Sequence, residues 1–200
     1  MRTTTGTRLR VIALAAAAAL GFGSAACAQN GEDNDPFENT NRAFYKFNDG
    51  LDVHIFQPLA RGYVKVTPQF FRTSVTNFFD NMGYLNTIAN DLLQGKLVRF
   101  FQDSGRFVIN STLGIGGLFD PASEMGLKQN SEDLGQTFAV WGAGEGAYLV
   151  LPLLGPDTVR DVPDRATSML LTPTFWINSV VTFPLGALNA INTRANLLEA

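Results

Sequence analysis

From Gln69 to Ile109 apolar and polar residues recur with the period of a helix. Phe70, Phe71, Val75, Phe78, Phe79 and Met82 fall on one side at about 100° per residue, and Arg72, Thr73, Thr76, Asn77, Asp80 and Asn81 on the other. Leu85, Ile88, Ala89, Leu92 and Leu93 repeat the division against Asn86, Thr87, Asn90, Asp91 and Gln94. Leu97, Phe100, Phe101, Phe107 and Val108 repeat it against Lys96, Arg99, Asp103 and Arg106. With Gly83 and Gly95 as punctuation, the pattern predicts three short amphipathic helices. Arg99 and Asp103 are four apart, which places them to pair on one helix surface. None of the three is long or apolar enough to cross a bilayer alone. Either they share a soluble core, or they lie in a membrane and turn their polar stripes toward something wet.

Upstream, Asp35-Pro36-Phe37-Glu38 predicts a helix start, with Asp35 as N-cap, Pro36 in the first position and Glu38 closing a capping box. Phe37, Phe44, Phe47 and Leu51 follow at helical spacing, among Asn41, Arg42, Asn48 and Asp49. Gly50 and Pro58 predict breaks into short pieces that end at Thr67-Pro68. Downstream, Gly114, Gly116 and Gly117 make a glycine-rich turn of Asn110 to Pro121. A short helix is expected near Ser131 to Ala139 with Ser131 as cap. Gly142, Gly144 and Gly146 form a flexible loop that feeds an extended hairpin, in which Pro152 and Pro156 argue against regular sheet positions. Asp157 to Leu171 is mixed polar. Pro173 to Leu198 predicts helix again, interrupted at Pro184-Leu-Gly186.

The first 28 residues read as an export signal: Arg2, Arg8 and Arg10, then the apolar run Val11 to Leu20, then small residues up to Cys27. Ser24-Ala25-Ala26-Cys27 is similar to a bacterial lipobox with Ser in place of the usual Leu. Ordinary cleavage after Ala28 is the alternative. A sole cysteine at this position favours lipidation of Cys27, and two or three acyl chains would anchor stably at about 0.8 kcal/mol per buried methylene. Gln29 to Asn34 is a polar tether. Residues 35–200 suit one domain.

Composition narrows the function classes. The net charge of −3 gives no ground for nucleic-acid binding. One Cys permits no intramolecular disulfide, and one His leaves little metal or triad chemistry. A periplasmic hydrolase would have to use His54, yet no G-x-S-x-G elbow follows the signal. Gly142-x-Gly144-x-x-Ala147 lacks the strand and helix of a dinucleotide site. Asp103, Asp120 and Asp133 show no metal-ligand spacing. No metal, cofactor or catalytic residue is predicted. Two readings of the polar stripe stay open. It is a solvated face, or else Asn77, Asn90, Asp91, Arg99 and Arg106, with Asp103, line a wet path while Phe70, Phe71, Phe78, Phe79, Phe100 and Phe101 meet lipid.

Many separate motifs in order resemble one family. They are Asp35-Pro36-Phe-Glu-x-x-Asn41-Arg42-x-Phe44-Tyr-x-Phe47-Asn48, Val66-Thr-Pro68-Gln, Val75-x-Asn77-Phe-x-x-Asn81 and Asn90-Asp-Leu-Leu-Gln94-Gly95. Arg106-Phe-x-x-Asn110-Ser-Thr112-x-Gly114-x-Gly116-Gly117, Asp133-Leu-Gly-Gln136-Thr and Trp141-Gly-x-Gly144-x-Gly146 continue the series. Leu151-Pro-x-x-Gly155-Pro-x-x-Val-Arg160-Asp161 and Asn192-Thr-Arg194-Ala complete it. On these the chain is identified as a member of the VacJ/MlaA family of outer-membrane lipoproteins, and the resemblance covers Asp35 to Ala200. It implies an all-α, ring-like domain of short amphipathic helices in the periplasmic leaflet of the Gram-negative outer membrane, with an amphipathic channel and a glycine-rich hairpin as gate. By family position Gly142, Gly144 and Gly146 belong to that hairpin. The resemblance further implies non-enzymatic removal of stray outer-leaflet phospholipid, a soluble periplasmic carrier that receives it, and a trimeric porin as neighbour. Family members usually continue past the position of Ala200 with another helical segment. The rival expectation is a structural or adhesion-related surface lipoprotein.

Overall fold

A computed structural model describes residues 35–199, so the expected signal, Cys27 and the tether lie outside the described residues. Helix α1 (Glu38–Leu51) runs through a π turn (Asp52–Phe56) directly into α2 (Gln57–Val66). The expected breaks at Gly50 and Pro58 do not occur. Pro58 sits in the first turn of α2, and the wide turn before it absorbs the missing N–H and the ring. The expected capping box also shifts. Asp35 Oδ1 accepts from the N–H of Phe37 at 2.9 Å, ahead of the helix, and Glu38 pairs with Arg42 one turn on.

Helix α3 (Gln69–Leu93) is one element of 25 residues, and α4 (Leu97–Thr112) follows after a turn at Gly95 with φ 71°. The predicted break at Gly83 is absent. A single glycine costs a helix only about 1 kcal/mol, less than the packing on either side supplies. The glycine-rich turn follows α4, with φ 70° at Gly116 and 93° at Gly117. A Cβ on Gly117 would meet Asn81 at 2.5 Å, so this turn presses its backbone against α3.

Helix α5 (Pro121–Glu124) is capped by Asp120, and α6 (Leu134–Val140) by Asp133 rather than by the expected Ser131. Strands β1 (Tyr148–Leu151) and β2 (Gly155–Thr158) pair antiparallel, with Val150 opposite Pro156. Pro156 therefore does hold a sheet position, which an edge strand such as β2 tolerates. Within the segment expected to be mixed polar, α7 (Val162–Leu171) is helical, and a 3-10 turn (Pro173–Trp176) leads to α8 (Ser179–Glu199). Helix α8 passes through Pro184 without the predicted interruption.

Packing contacts close a circuit. Helix α3 packs on α4, α6, α7 and α8; α8 packs on α2; α1 carries β1; and β2 leads back into α7. The fold is mostly helical, as expected, with one short hairpin.

The distribution of side chains is inverted relative to a water-soluble domain. The largest fully buried side chains are Arg106, Asn81, Asn90, Asn192, Thr137, Asp91 and Asp103, all polar. Phe70, Phe71, Leu97, Val98, Phe101 and Val108 of α3 and α4 are exposed. No helix among the described residues is long and apolar enough to cross a membrane.

Candidate functional site

The buried face of α4 carries Asp103, Arg106 and Asn110, spaced three and four apart so that they project from one side. The facing side of α3 supplies Asn81, Tyr84, Asn86, Thr87, Asn90 and Asp91. Three polar clusters result.

The first surrounds Arg106. Its Nε donates to Tyr84 Oη at 2.8 Å, Nη2 to both Asp120 oxygens at 2.9 and 2.8 Å, and Nη1 to Ser123 Oγ and to the Leu127 carbonyl. Asn110 donates to Asp120 at 2.9 Å and accepts from the N–H of Ala122 at 3.1 Å. Burial alone would raise the Asp120 carboxyl. Hydrogen bonds from Ser123, Asn110 and Arg106 outweigh it and hold that carboxyl below the usual range.

The second is a carboxyl pair. Asp91 is fully buried, and neither of its oxygens meets an N–H or hydroxyl donor. What faces it is Asp103, whose oxygens accept from Asn130 at 3.2 and 3.1 Å. Desolvation first, then the Asp103 carboxyl, then the charge of Glu132 push Asp91 up to about 7, against a smaller opposing pull from Lys96. Two carboxyls can hydrogen bond to each other only if one carries a proton, so burial and the pairing point the same way.

The third gathers around Glu132. Its Oε1 accepts from Lys96 and Arg99, each at 2.6 Å, and its Oε2 from Gln94 at 3.1 Å. The expected Arg99–Asp103 pair is not made. Glu132, brought by the loop before α6 and only 3% exposed, captures Arg99 instead. From Gln94 the bonds continue through Thr137 to Asn90 and Asn86, and from Asn86 to Ser168 and Asp164 on α7.

Between α3, α7 and the loop 129–133 lies an open cavity of about 330 Å³. Asp80, Asn86, Thr87, Gln129, Asp164 and Ser168 border it, together with the Phe79 and Tyr84 rings. None of Asn77, Asn90, Asp91, Arg99, Asp103 and Arg106 borders this cavity. Asn77 and Arg106 border a smaller cleft of about 10 Å³ beside it. Asp80, Asn86 and Thr87 belong to the stripe visible in the sequence. The α7 residues could not be placed there without the fold.

The expected lipid-facing rings divide. Phe70, Phe71 and Phe101 are exposed, while Phe78, Phe79 and Phe100 are half-buried. Gly142, Gly144 and Gly146 are exposed and precede β1. His54 is also exposed and its Nδ1 lies 2.8 Å from the Gly50 carbonyl.

Two residues that sequence reasoning left unassigned hold the hairpin. Asn41 donates to the Tyr148 carbonyl at 3.0 Å and accepts from the N–H of Val150 at 2.8 Å. Asn48, two helical turns on, donates to the Leu151 carbonyl and accepts from the N–H of Leu153. Each amide thus replaces the neighbouring strand that β1 lacks. Their spacing of seven was the signal available in the sequence.

A family model described as the MlaA lipoprotein matches residues 33–200. The chain belongs to the MlaA lipoprotein family. The intermembrane phospholipid transport system lipoproteins MlaA of Shigella flexneri and Escherichia coli (strain K12) are each 33% identical over 201 residues, which is 96% of this chain and 79% of theirs. A protein of Rickettsia prowazekii (strain Madrid E) is 40% identical over 143 residues, 71% of this chain. Here the chain matches 57% of the relative's length, and 66% of that of a Rickettsia bellii relative. A solved structure described as "Structural basis for maintenance of bacterial outer membrane lipid asymmetry" superposes with a TM-score of 0.72 at 29% identity, covering 83% of this chain and 85% of that one. The family assignment expected from the motifs is thereby established, as is the helical fold.

Proposed function

We propose that this protein withdraws phospholipid that has strayed to the outer leaflet of the outer membrane and passes it to a soluble periplasmic carrier, without covalent chemistry. It is anchored through Cys27 in the periplasmic leaflet, beside a trimeric porin. The inverted side-chain distribution carries the reading: most buried residues are polar and exposed helix faces are rich in Phe, Leu and Val. Such a surface suits a lipid surround. Trp141 and Trp176 support it. Their indole N–H groups bond the Leu93 and Leu170 carbonyls at 3.2 and 2.9 Å, so the exposed rings need no wet partner. Acyl tails follow the apolar faces, head groups follow the polar interior, and the loop of Gly142, Gly144 and Gly146 gates passage. Kinship with lipoproteins of an intermembrane phospholipid transport system supports the same reading.

The test is outer-leaflet phosphatidylethanolamine, read with a membrane-impermeant amine label in cells lacking the protein. A rise over the parent that the intact gene reverses is expected. Labelling that stays at the parental level in the deletion strain would sink the transport reading.

A further inference from the structure

The 330 Å³ cavity has a lopsided charge lining. Asp80, Glu132, Asp133 and Asp164 border it, and among the described residues no lysine or arginine does. Three of these carboxylates are already engaged. Glu132 holds Lys96 and Arg99, Asp133 caps α6 through the N–H of Gln136 at 2.7 Å, and Asp164 accepts from the N–H of Leu134, Asn86 and Ser168. Asp80 differs. Its one hydrogen bond among the described residues comes from Gln129 at 3.3 Å, and no cation pairs with it. Solvent reaches it, yet the surrounding walls desolvate it enough to raise its carboxyl above the ordinary value, with the Asp120 charge adding to the rise.

A second, independent observation concerns Thr87. It is 7% exposed, it borders the cavity, and its hydroxyl makes no hydrogen bond to the described residues. A hydroxyl that has no protein partner and borders a cavity is free to bond whatever occupies it. The Phe79 and Tyr84 rings complete the wall.

We propose that this cavity is a head-group site for the primary ammonium of a zwitterionic phospholipid, with Asp80 as its counter-charge and Thr87 as a hydrogen-bond acceptor. An ammonium offers three donors and no acceptor, which matches carboxylate, hydroxyl and aromatic faces. An anionic glycerol head group brings no positive charge to such a lining and is disfavoured. The volume lies at the small end of ligand pockets, roughly 300–1,000 Å³, which fits a head group and leaves the acyl chains outside. The inference rests on the proposed transport of phospholipid and adds the selectivity of the site.

The full-length protein would be purified in detergent and equilibrated with mixed micelles of phosphatidylethanolamine and phosphatidylglycerol in equal amounts. Bound lipid is then quantified by mass spectrometry. Wild type is expected to enrich phosphatidylethanolamine about tenfold, the size of one hydrogen bond to a charged group. Asp80→Asn is expected to bring the ratio close to one through loss of bound phosphatidylethanolamine, with capture of phosphatidylglycerol retained. Thr87→Val should reduce the enrichment by a smaller factor, with helical circular dichroism unchanged in both. Equal capture of the two lipids by wild type, or unchanged enrichment in Asp80→Asn, would overturn the head-group site and leave transport standing. Absence of any bound lipid would instead overturn the transport reading, and the site with it. Loss of the enrichment on adding free phosphoethanolamine at the lipid's own concentration would assign the site to soluble amines and overturn the lipid assignment.

Discussion

Arg106 and Asp120 form an ion pair at the centre of the polar interior, with one guanidinium nitrogen 2.9 and 2.8 Å from the two carboxylate oxygens. Arg106 is 1% exposed, so its charge has no water to fall back on. Breaking such a buried pair from one side costs about 3–5 kcal/mol. Arg106→Glu is therefore expected to unfold the protein or lower its thermal midpoint by on the order of 10 °C or more. A midpoint within two degrees of wild type (thermal circular dichroism in detergent, ~2 °C being the shift of a small perturbation) would contradict the buried pair.

Arg99 makes a contrast on the same helix. Its side chain is 48% exposed and shares Glu132 with Lys96, which remains when Arg99 is changed. Arg99→Gln should cost no more than about 1 kcal/mol. If Arg99 borders the lipid path, amine labelling of the outer leaflet rises in a strain that expresses this variant at normal level. Parental labelling would remove Arg99 from the path.

The Asp91–Asp103 pair predicts a pH dependence. The folded value for Asp91 is raised to about 7 from an unfolded value of 3.8, so the folded protein holds a proton that the unfolded chain releases. Stability from this group is thus full below the unfolded value and is lost as pH rises through about 7. Asp91→Asn removes the penalty and gives up no donor, since neither Asp91 oxygen has one. The variant should be more stable than wild type at pH 8 and show a flatter midpoint between pH 5 and 8, measured by thermal unfolding (a window of roughly three pH units around the ordinary His range). A steeper fall with rising pH would refute the pairing.

Asn41 and Asn48 should govern the hairpin independently of global stability. Replacing Asn48 with Ala frees the N–H of Leu153 and the carbonyl of Leu151. Hydrogen exchange at Leu153 should quicken while that of α3 stays slow. Equal exchange in both proteins would mean that the side-chain amide does not hold the strand edge.

Gly83 tests the continuity of α3. A Cβ there would meet nothing within 4 Å. Gly83→Ala should stabilise by about 0.4–1 kcal/mol through the unfolded chain. Gly135→Ala should do the opposite, because its Cβ would sit 2.1 Å from Asp161 Oδ1. Paired thermal unfolding of the two variants gives shifts of opposite sign if α3 is unbroken at Gly83.

The helical class, the amphipathic division of α3 and α4, the turn at Gly95 and the family were all legible from the residues alone. Those follow from local periodicity and from residues adjacent in the chain, such as the Phe pairs and the Asn90-Asp91 couple. Periodicity has no sign: a stripe of Asn, Asp and Arg on one helix face is the same pattern whether that face meets water or the protein interior. It took the packing of α4 against its neighbours to turn Asp103, Arg106 and Asn110 inward and Phe101 and Val108 outward. That packing also decided the partners, since Glu132 and Asp120 reach Arg99 and Arg106 from other segments and override the pairing that spacing alone suggested. Pro58, Gly83 and Pro184 teach the same lesson about breaks. A local preference of about 1–3 kcal/mol does not by itself end a helix, and the helical turns run on past all three.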